Sequence, residues 1–253
     1  MFRQLRRWFL SCLAIALLVL TACNAPPVSS NPSPSPGDTS SVPGAQSPTL
    51  TAQLPRLEGN ATVVLQVDGQ PITIAVDGKA APITAGNFVD LVQKGVYDGT
   101  SFHRVVRDPQ PFVVQGGDPQ SKDANVPPQA LGTGSYNDPA TGQPRYIPLE
   151  IQPEGTAEPV YSKTLKSAKV TAPPQLKHTR GAVAMARSQL PDSASAQFYI
   201  ALSQLDPLDG DYAVFGYVTQ GMDVVDKIQQ GDRITSAKVT QGLENLKTGP
   251  TPQ

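Results

Sequence analysis

From Asn60 onward, turn residues cut the chain into short β-prone runs, and this punctuation limits the available folds more than any other feature. Ala61–Val67 is β-rich and stops at Asp68-Gly69, a pair that favours a two-residue hairpin. Ile72–Val76 returns from that turn and stops at Asp77-Gly78. Further strands are expected at Ser101–Val106, Phe112–Gln115, Ala182–Ala186, Gln197–Leu202, Val214–Val218 and Ile234–Thr240. The 26 prolines and 21 glycines leave room for few helices. One is expected from an N-cap at Thr84, with Phe88, Val89, Leu91 and Val92 as its apolar stripe and Gly95 as its stop. A second is expected over Met222–Gln230. Many strands and few helices specify a mainly β sandwich or barrel, and periodicity does not choose between them. The sequence shows no internal repeat.

The ends read differently. Arg3, Arg6 and Arg7 precede an apolar run, Trp8–Leu20, that is shorter than a spanning helix requires. Leu20-Thr21-Ala22-Cys23 resembles the lipobox of bacterial lipoproteins. Residues 1–22 are therefore expected to be a signal peptide, with Cys23 as the lipidation site. Residues 23–56 are rich in Pro, Ser, Asn, Thr and Gly, too polar to offset ordering entropy, and are expected to form an extended tether. The folded domain is then 57–247, with a tail at 248–253. The expected location is extracytoplasmic and membrane-anchored, facing a periplasm or, in a photosynthetic bacterium, a thylakoid lumen.

Composition excludes several function classes. Both cysteines, Cys12 and Cys23, precede the domain, so no cysteine metal site or disulfide is expected within it. Two histidines do not make a histidine-rich metal site, and no Gly-x-Ser-x-Gly elbow is present for a serine hydrolase. Gly116-Gly117 lacks the Lys-Ser/Thr that would follow in a phosphate loop. A formal net charge of -1, with no Lys/Arg block, argues against a nucleic-acid partner.

Two segments carry the chemistry. The first is Tyr97-Asp98-Gly99-Thr100-Ser101-Phe102-His103-Arg104-Val105-Val106, followed by Phe112-Val113-Val114-Gln115-Gly116-Gly117-Asp118-Pro119. The second is Ala184-Met185-Ala186-Arg187, then Asp192–Ile200, with Leu208-Asp209-Gly210 and Val214-Phe215-Gly216 downstream. Their order and spacing resemble the cyclophilin family of peptidyl-prolyl cis-trans isomerases over residues 60 to 245. The resemblance implies a closed eight-stranded antiparallel barrel capped by two α-helices, with the substrate groove on its outer face. It implies a catalytic Arg104 and a substrate-contacting Gln115. It places Phe112, Val113, Tyr199 and Leu208 around a proline pocket, flanked by Gln197 and the Ala186-Arg187 backbone and closed on one side by Tyr212. Proline-containing polypeptides are the implied partners, met by a monomer without cofactor or metal. Exported proteins would be the clients. His103 is not needed as a base, because rotation about a peptide bond moves no proton.

The same residues leave two other readings open: a binding module that docks proline segments without turnover, and an unrelated lipid- or metal-carrying β-barrel lipoprotein. Four departures from the family pattern stand out. The loop Arg107-Asp108-Pro109-Gln110-Pro111 is longer than in compact members. Gln152–Lys177 is a second long stretch, expected to be a solvated insertion, with an extra lid or a partner-docking loop as the alternative. Pro207 stands where many eukaryotic members carry a tryptophan, and Tyr212 where they carry a histidine.

Overall fold

Residues 53–249 are described by a computed structural model. The signal peptide, Cys23 and the tether up to residue 52 lie outside the described residues, as do residues 250–253 of the tail. The element order is β1 (Arg56–Leu57), β2 (Asn60–Val67), β3 (Gln70–Asp77), helix α1 (Pro82–Gln93), β4 (Arg104–Val106) and β5 (Val113–Gly116). Then come β6 (Glu150–Ile151), β7 (Val160–Tyr161), β8 (Ala182–Met185), β9 (Phe198–Ala201), β10 (Val214–Gln220), a one-turn helix α2 (Met222–Val225), β11 (Ile234–Gln241) and β12 (Leu246–Lys247).

Eight strands form one antiparallel sheet in the order β11-β2-β3-β10-β8-β9-β5-β4. Its first hairpin turns where the sequence indicates: Asp68 and Gly69 both adopt positive φ, at 50° and 72°. The sheet curls, but it is not a barrel closed by a continuous ladder. Only Arg104–Val106 of the expected strand Ser101–Val106 pairs with β5. The preceding residues turn instead to the segment ahead of β11: Ser101 bridges Arg233, Phe102 N–H donates to the Asp232 carbonyl, and Ile234 N–H to that of Thr100. These bonds form a short seam between the two end strands.

The helices also depart from expectation. α1 begins at Pro82, in the first-turn position where a missing N–H costs nothing, so Thr84 is a buried residue inside the helix and not its cap. The capping role falls to Glu150, whose carboxylate accepts the Ile83 and Thr84 N–H groups at 3.1 and 2.7 Å. Burial pushes the Glu150 carboxyl upward, against these bonds. Gly95, at φ 66°, ends the helix as expected. The second helix covers only Met222–Val225 and gives way to turns before Gln230.

Alternation along the strands sorts side chains onto two surfaces. Val114, Val183, Met185, Phe198, Ile200 and Phe215 point to the interior, where α1 inserts Phe88. The Phe88 ring centre lies 4.8 to 5.4 Å from those of Phe215, Tyr97 and Phe198. Each fully buried phenylalanine contributes about 1.5–3 kcal/mol. Gly116 fits closely at this core: a Cβ there would come to 3.0 Å from the Phe102 ring and 3.1 Å from the Ser101 carbonyl, so its neighbours would have to give way.

The stretch Gln152–Lys177 is not a free solvated loop. Pro153 bridges Pro174, and Leu165, buried with Leu149, Ile151 and Ala213, donates its N–H to the Gly210 carbonyl at 2.9 Å. Its lysines Lys163, Lys166 and Lys169 remain exposed.

Candidate active site

The outer face of β5, β8, β9 and β10 carries a second apolar cluster, which includes Val113, Ala184, Tyr199, Ala201 and Val214. Strands β8 and β9 are buried on both faces for this reason. Sheet register lines up the chemistry on that face. Arg104 pairs with Gln115, Gln115 with Tyr199, and Tyr199 with Ala184, giving one row across four strands.

A cavity of about 340 Å³ opens over this row. Phe112, Val113, Tyr199, Leu208 and Tyr212 supply its apolar and aromatic walls, while Arg104 and Gln115 supply polar groups. Ala186 and Arg187 complete the lining. The structure thus gathers nine of the ten residues singled out in the sequence. Gln197 lines a neighbouring hollow of about 600 Å³, which shares Gln115, Ala186 and Arg187 with the first.

The polar groups form a directed chain. Gln197 Nε2 donates to the Gly134 carbonyl at 2.8 Å, so its Oε1 faces Gln115 and accepts from Nε2 there at 3.2 Å. The remaining oxygen of Gln115 accepts from Arg104 Nη1 at 3.3 Å. One donor of Arg104 is used, and its exposed guanidinium stands 5.8 Å from the centre of the Phe112 ring. Arg187 is a wall residue: its Nε and Nη2 donate to the Asp211 carbonyl, and its guanidinium lies 4.6 Å from the Tyr212 ring centre.

Two supports had no role assigned from the sequence, although Asp118 stands in the first motif. Asp118, fully buried, accepts the N–H groups of Gly132 and Gly134 at 2.6 and 3.2 Å, fixing the carbonyl that orients Gln197. A Cβ on Gly134 would sit 2.1 Å from Asp118 Oδ1, so only glycine fits. His178 is 1% exposed and does not face solvent. Asp209 Oδ1 lies 2.8 Å from its Nδ1, so that nitrogen carries the hydrogen, and Nε2 accepts from the Tyr199 hydroxyl at 3.0 Å. Burial lowers the His178 pKa against the pull of Asp209 and raises that of Tyr199. His103 faces the other way: its ring packs beside Gly132 and lines neither cavity.

Residues 62–247 match the family model for cyclophilin type peptidyl-prolyl cis-trans isomerase/CLD. This chain belongs to the cyclophilin family. It is 41% identical over 208 residues to a Synechocystis protein named as a thylakoid lumen peptidyl-prolyl cis-trans isomerase, covering 78% of this chain and 52% of that one. It is 33% identical over 188 residues to peptidyl-prolyl cis-trans isomerase A of Dickeya dadantii, covering 72% and 78%. A solved Cryptosporidium parvum cyclophilin superposes with a TM-score of 0.53 at 22% identity, over 72% of this chain and 98% of that one, a likeness of fold. The chain spans about half the length of the Synechocystis relative.

This cyclophilin keeps an aromatic wall at Tyr212, whose ring meets that of Tyr199 edge-on at 6.1 Å. Asp108–Pro111 of its long loop and Pro207 line a further hollow that includes Phe112 but neither Gln115 nor Gln197. Among the described residues no helix is long and apolar enough to cross a membrane.

Proposed function

We propose that this cyclophilin catalyses cis–trans rotation of X-Pro peptide bonds in exported proteins. The observation that carries the reading is a guanidinium, Arg104, held by Gln115 at the rim of an apolar cavity of about 340 Å³. An X-Pro amide resists rotation because conjugation sets a barrier of about 18–20 kcal/mol. Midway through rotation the prolyl nitrogen leaves conjugation and gains a lone pair. A donor aimed at that nitrogen binds the twisted amide better than either planar form, which is the requirement for catalysis. Arg104 serves because it stays charged and presents donors in a fixed fork. Phe112, Val113, Tyr199 and Leu208 grip the ring and keep water from competing for the hydrogen bond.

The magnitudes are compatible. Shortening isomerisation from tens of seconds to milliseconds is roughly 5–6 kcal/mol. A charge-assisted hydrogen bond supplies about 1.5–3 kcal/mol, and ring positioning the remainder. Proline-isomer exchange on an Ala-Pro-Phe peptide, with and without the purified domain, tests the reading. Acceleration is expected, and unchanged exchange contradicts it.

We further propose that the chain works as a monomer outside the cytoplasm, tethered by lipid on Cys23. The Arg-rich start, the Leu20–Cys23 sequence and the thylakoid lumen name of the Synechocystis relative support the location and the anchor. A Cys23→Ser variant should leave the membrane fraction. Its retention there would contradict the anchor.

A further inference from the structure

We infer that this cyclophilin has a second substrate subsite, an apolar hollow that takes a bulky hydrophobic side chain from the polypeptide next to the isomerised proline. The inference rests on the isomerase reading and adds a specificity to it. The hollow measures about 420 Å³ and shares two walls, Phe112 and Leu208, with the proline cavity. Val106, Pro109, Pro111, Leu205 and Pro207 supply much of the remaining surface. The 600 Å³ hollow shares Gln115, Ala186 and Arg187, so it meets the proline cavity through a different set of residues. A polypeptide with its proline in the middle cavity therefore meets a hollow through each set of shared walls. At about 3.5 Å per residue, a side chain adjoining the X-Pro pair is close enough to enter.

The hollow is built from what is particular to this chain. Asp108–Pro111 of the long loop line it together with Pro207. That loop is held in place. Phe112 N–H donates to the Val106 carbonyl at 3.0 Å, Leu202 N–H to that of Phe112 at 2.8 Å, and the Ser203 hydroxyl to that of Pro111. Leu205 is fixed from behind through its N–H to the His178 carbonyl at 2.7 Å.

The chemistry of the lining selects the occupant. Three prolines, Pro109, Pro111 and Pro207, have no N–H to donate, and the Pro111 carbonyl is already taken by Ser203. Of the polar lining residues, Ser203 and Gln204 each spend a donor, on the Pro111 carbonyl and the Asp206 carboxylate respectively, and the apolar remainder favours burial of a like side chain. Asp108 is the sole ionisable lining residue, so an acidic side chain is disfavoured and a phenylalanine or leucine welcome.

The test uses two series of proline peptides, Xaa-Ala-Pro and Ala-Pro-Xaa, with Gly, Phe or Glu at Xaa, read as kcat/KM. In one series Phe should exceed Gly by about tenfold, and Glu should fall below Gly. Gln204→Asp and Pro207→Asp each place a carboxylate in the hollow, and both should bring the Phe-to-Gly ratio toward one. Because the ratio is read within one protein preparation, a partial loss of folded enzyme cancels. A ratio near one in both series, or one untouched by either charge variant, overturns the subsite. Absence of turnover on every Ala-Pro peptide would instead defeat the isomerase reading itself.

Discussion

Strands β5 and β9 each present two surfaces, and the two do different work with the same backbone. Inward, Val114, Phe198 and Ile200 meet α1 in a filled core. Outward, Val113, Gln115 and Tyr199 leave a cavity that the core does not tolerate. The contrast shows how a sheet buried on both faces can keep one face for function. The inner layer holds register and curl, so that an Arg–Gln–Tyr row from three strands stays aligned on the outer layer.

The comparison breaks most sharply at neighbouring residues. Phe198→Ala should destabilise the fold by about 3–5 kcal/mol, whereas Tyr199→Phe, which loses only the bond to His178, should cost about 0.5–1.5 kcal/mol. Thermal or urea melts of the two variants check this, and equal losses would erase the distinction between the faces. Phe112→Ala sharpens the outer face. It should lower kcat/KM by about ten- to a hundredfold, as expected for a lost ring contact, while moving the melting temperature little.

The smallest effect concerns pH. The folded-state pKa of His178 lies below the usual value near 6.5, mainly through burial. As pH falls below about 6.5 the unfolded chain takes up a proton that the folded chain refuses, so stability is lost. His103, also lowered by burial, adds to the slope, and Glu150, raised by burial, opposes it. A His178→Gln variant should show a shallower fall in unfolding free energy between pH 7 and 5 than the unaltered protein, by at most about 1.4 kcal/mol per pH unit, read from urea melts. Parallel curves would contradict the buried, neutral histidine.

What the sequence disclosed is what short-range chemistry writes. Asp68-Gly69 marks the first hairpin because only residues tolerant of positive φ turn so tightly. The strands appear close to their expected bounds, Ser101–Val106 excepted, because its first half bonds to Gly231 and Asp232 far along the chain. The helix start was misplaced for a like reason. Thr84 has the chemistry of a cap, but the acceptor in use is a carboxylate 66 residues away. The site followed the same rule. Arg104, Gln115 and Tyr199 sit in recognisable motifs with roles attached, whereas the role of Asp118, in the same motif as Gln115, and that of His178 behind Tyr199 become visible only when the fold brings their partners together. Gln152–Lys177 looks like solvated loop by composition, yet one buried leucine, Leu165, fastens it to Gly210.

The central claim is that a positive side chain rescues a nitrogen stripped of its resonance. It is tested most directly by two-dimensional exchange spectroscopy on an Ala-Pro-Phe peptide with Arg104→Ala. Exchange between isomers should slow by about 10²–10³-fold relative to the unaltered protein, while peptide binding and the melting curve stay close to normal. Equal exchange rates for the two proteins would contradict the account.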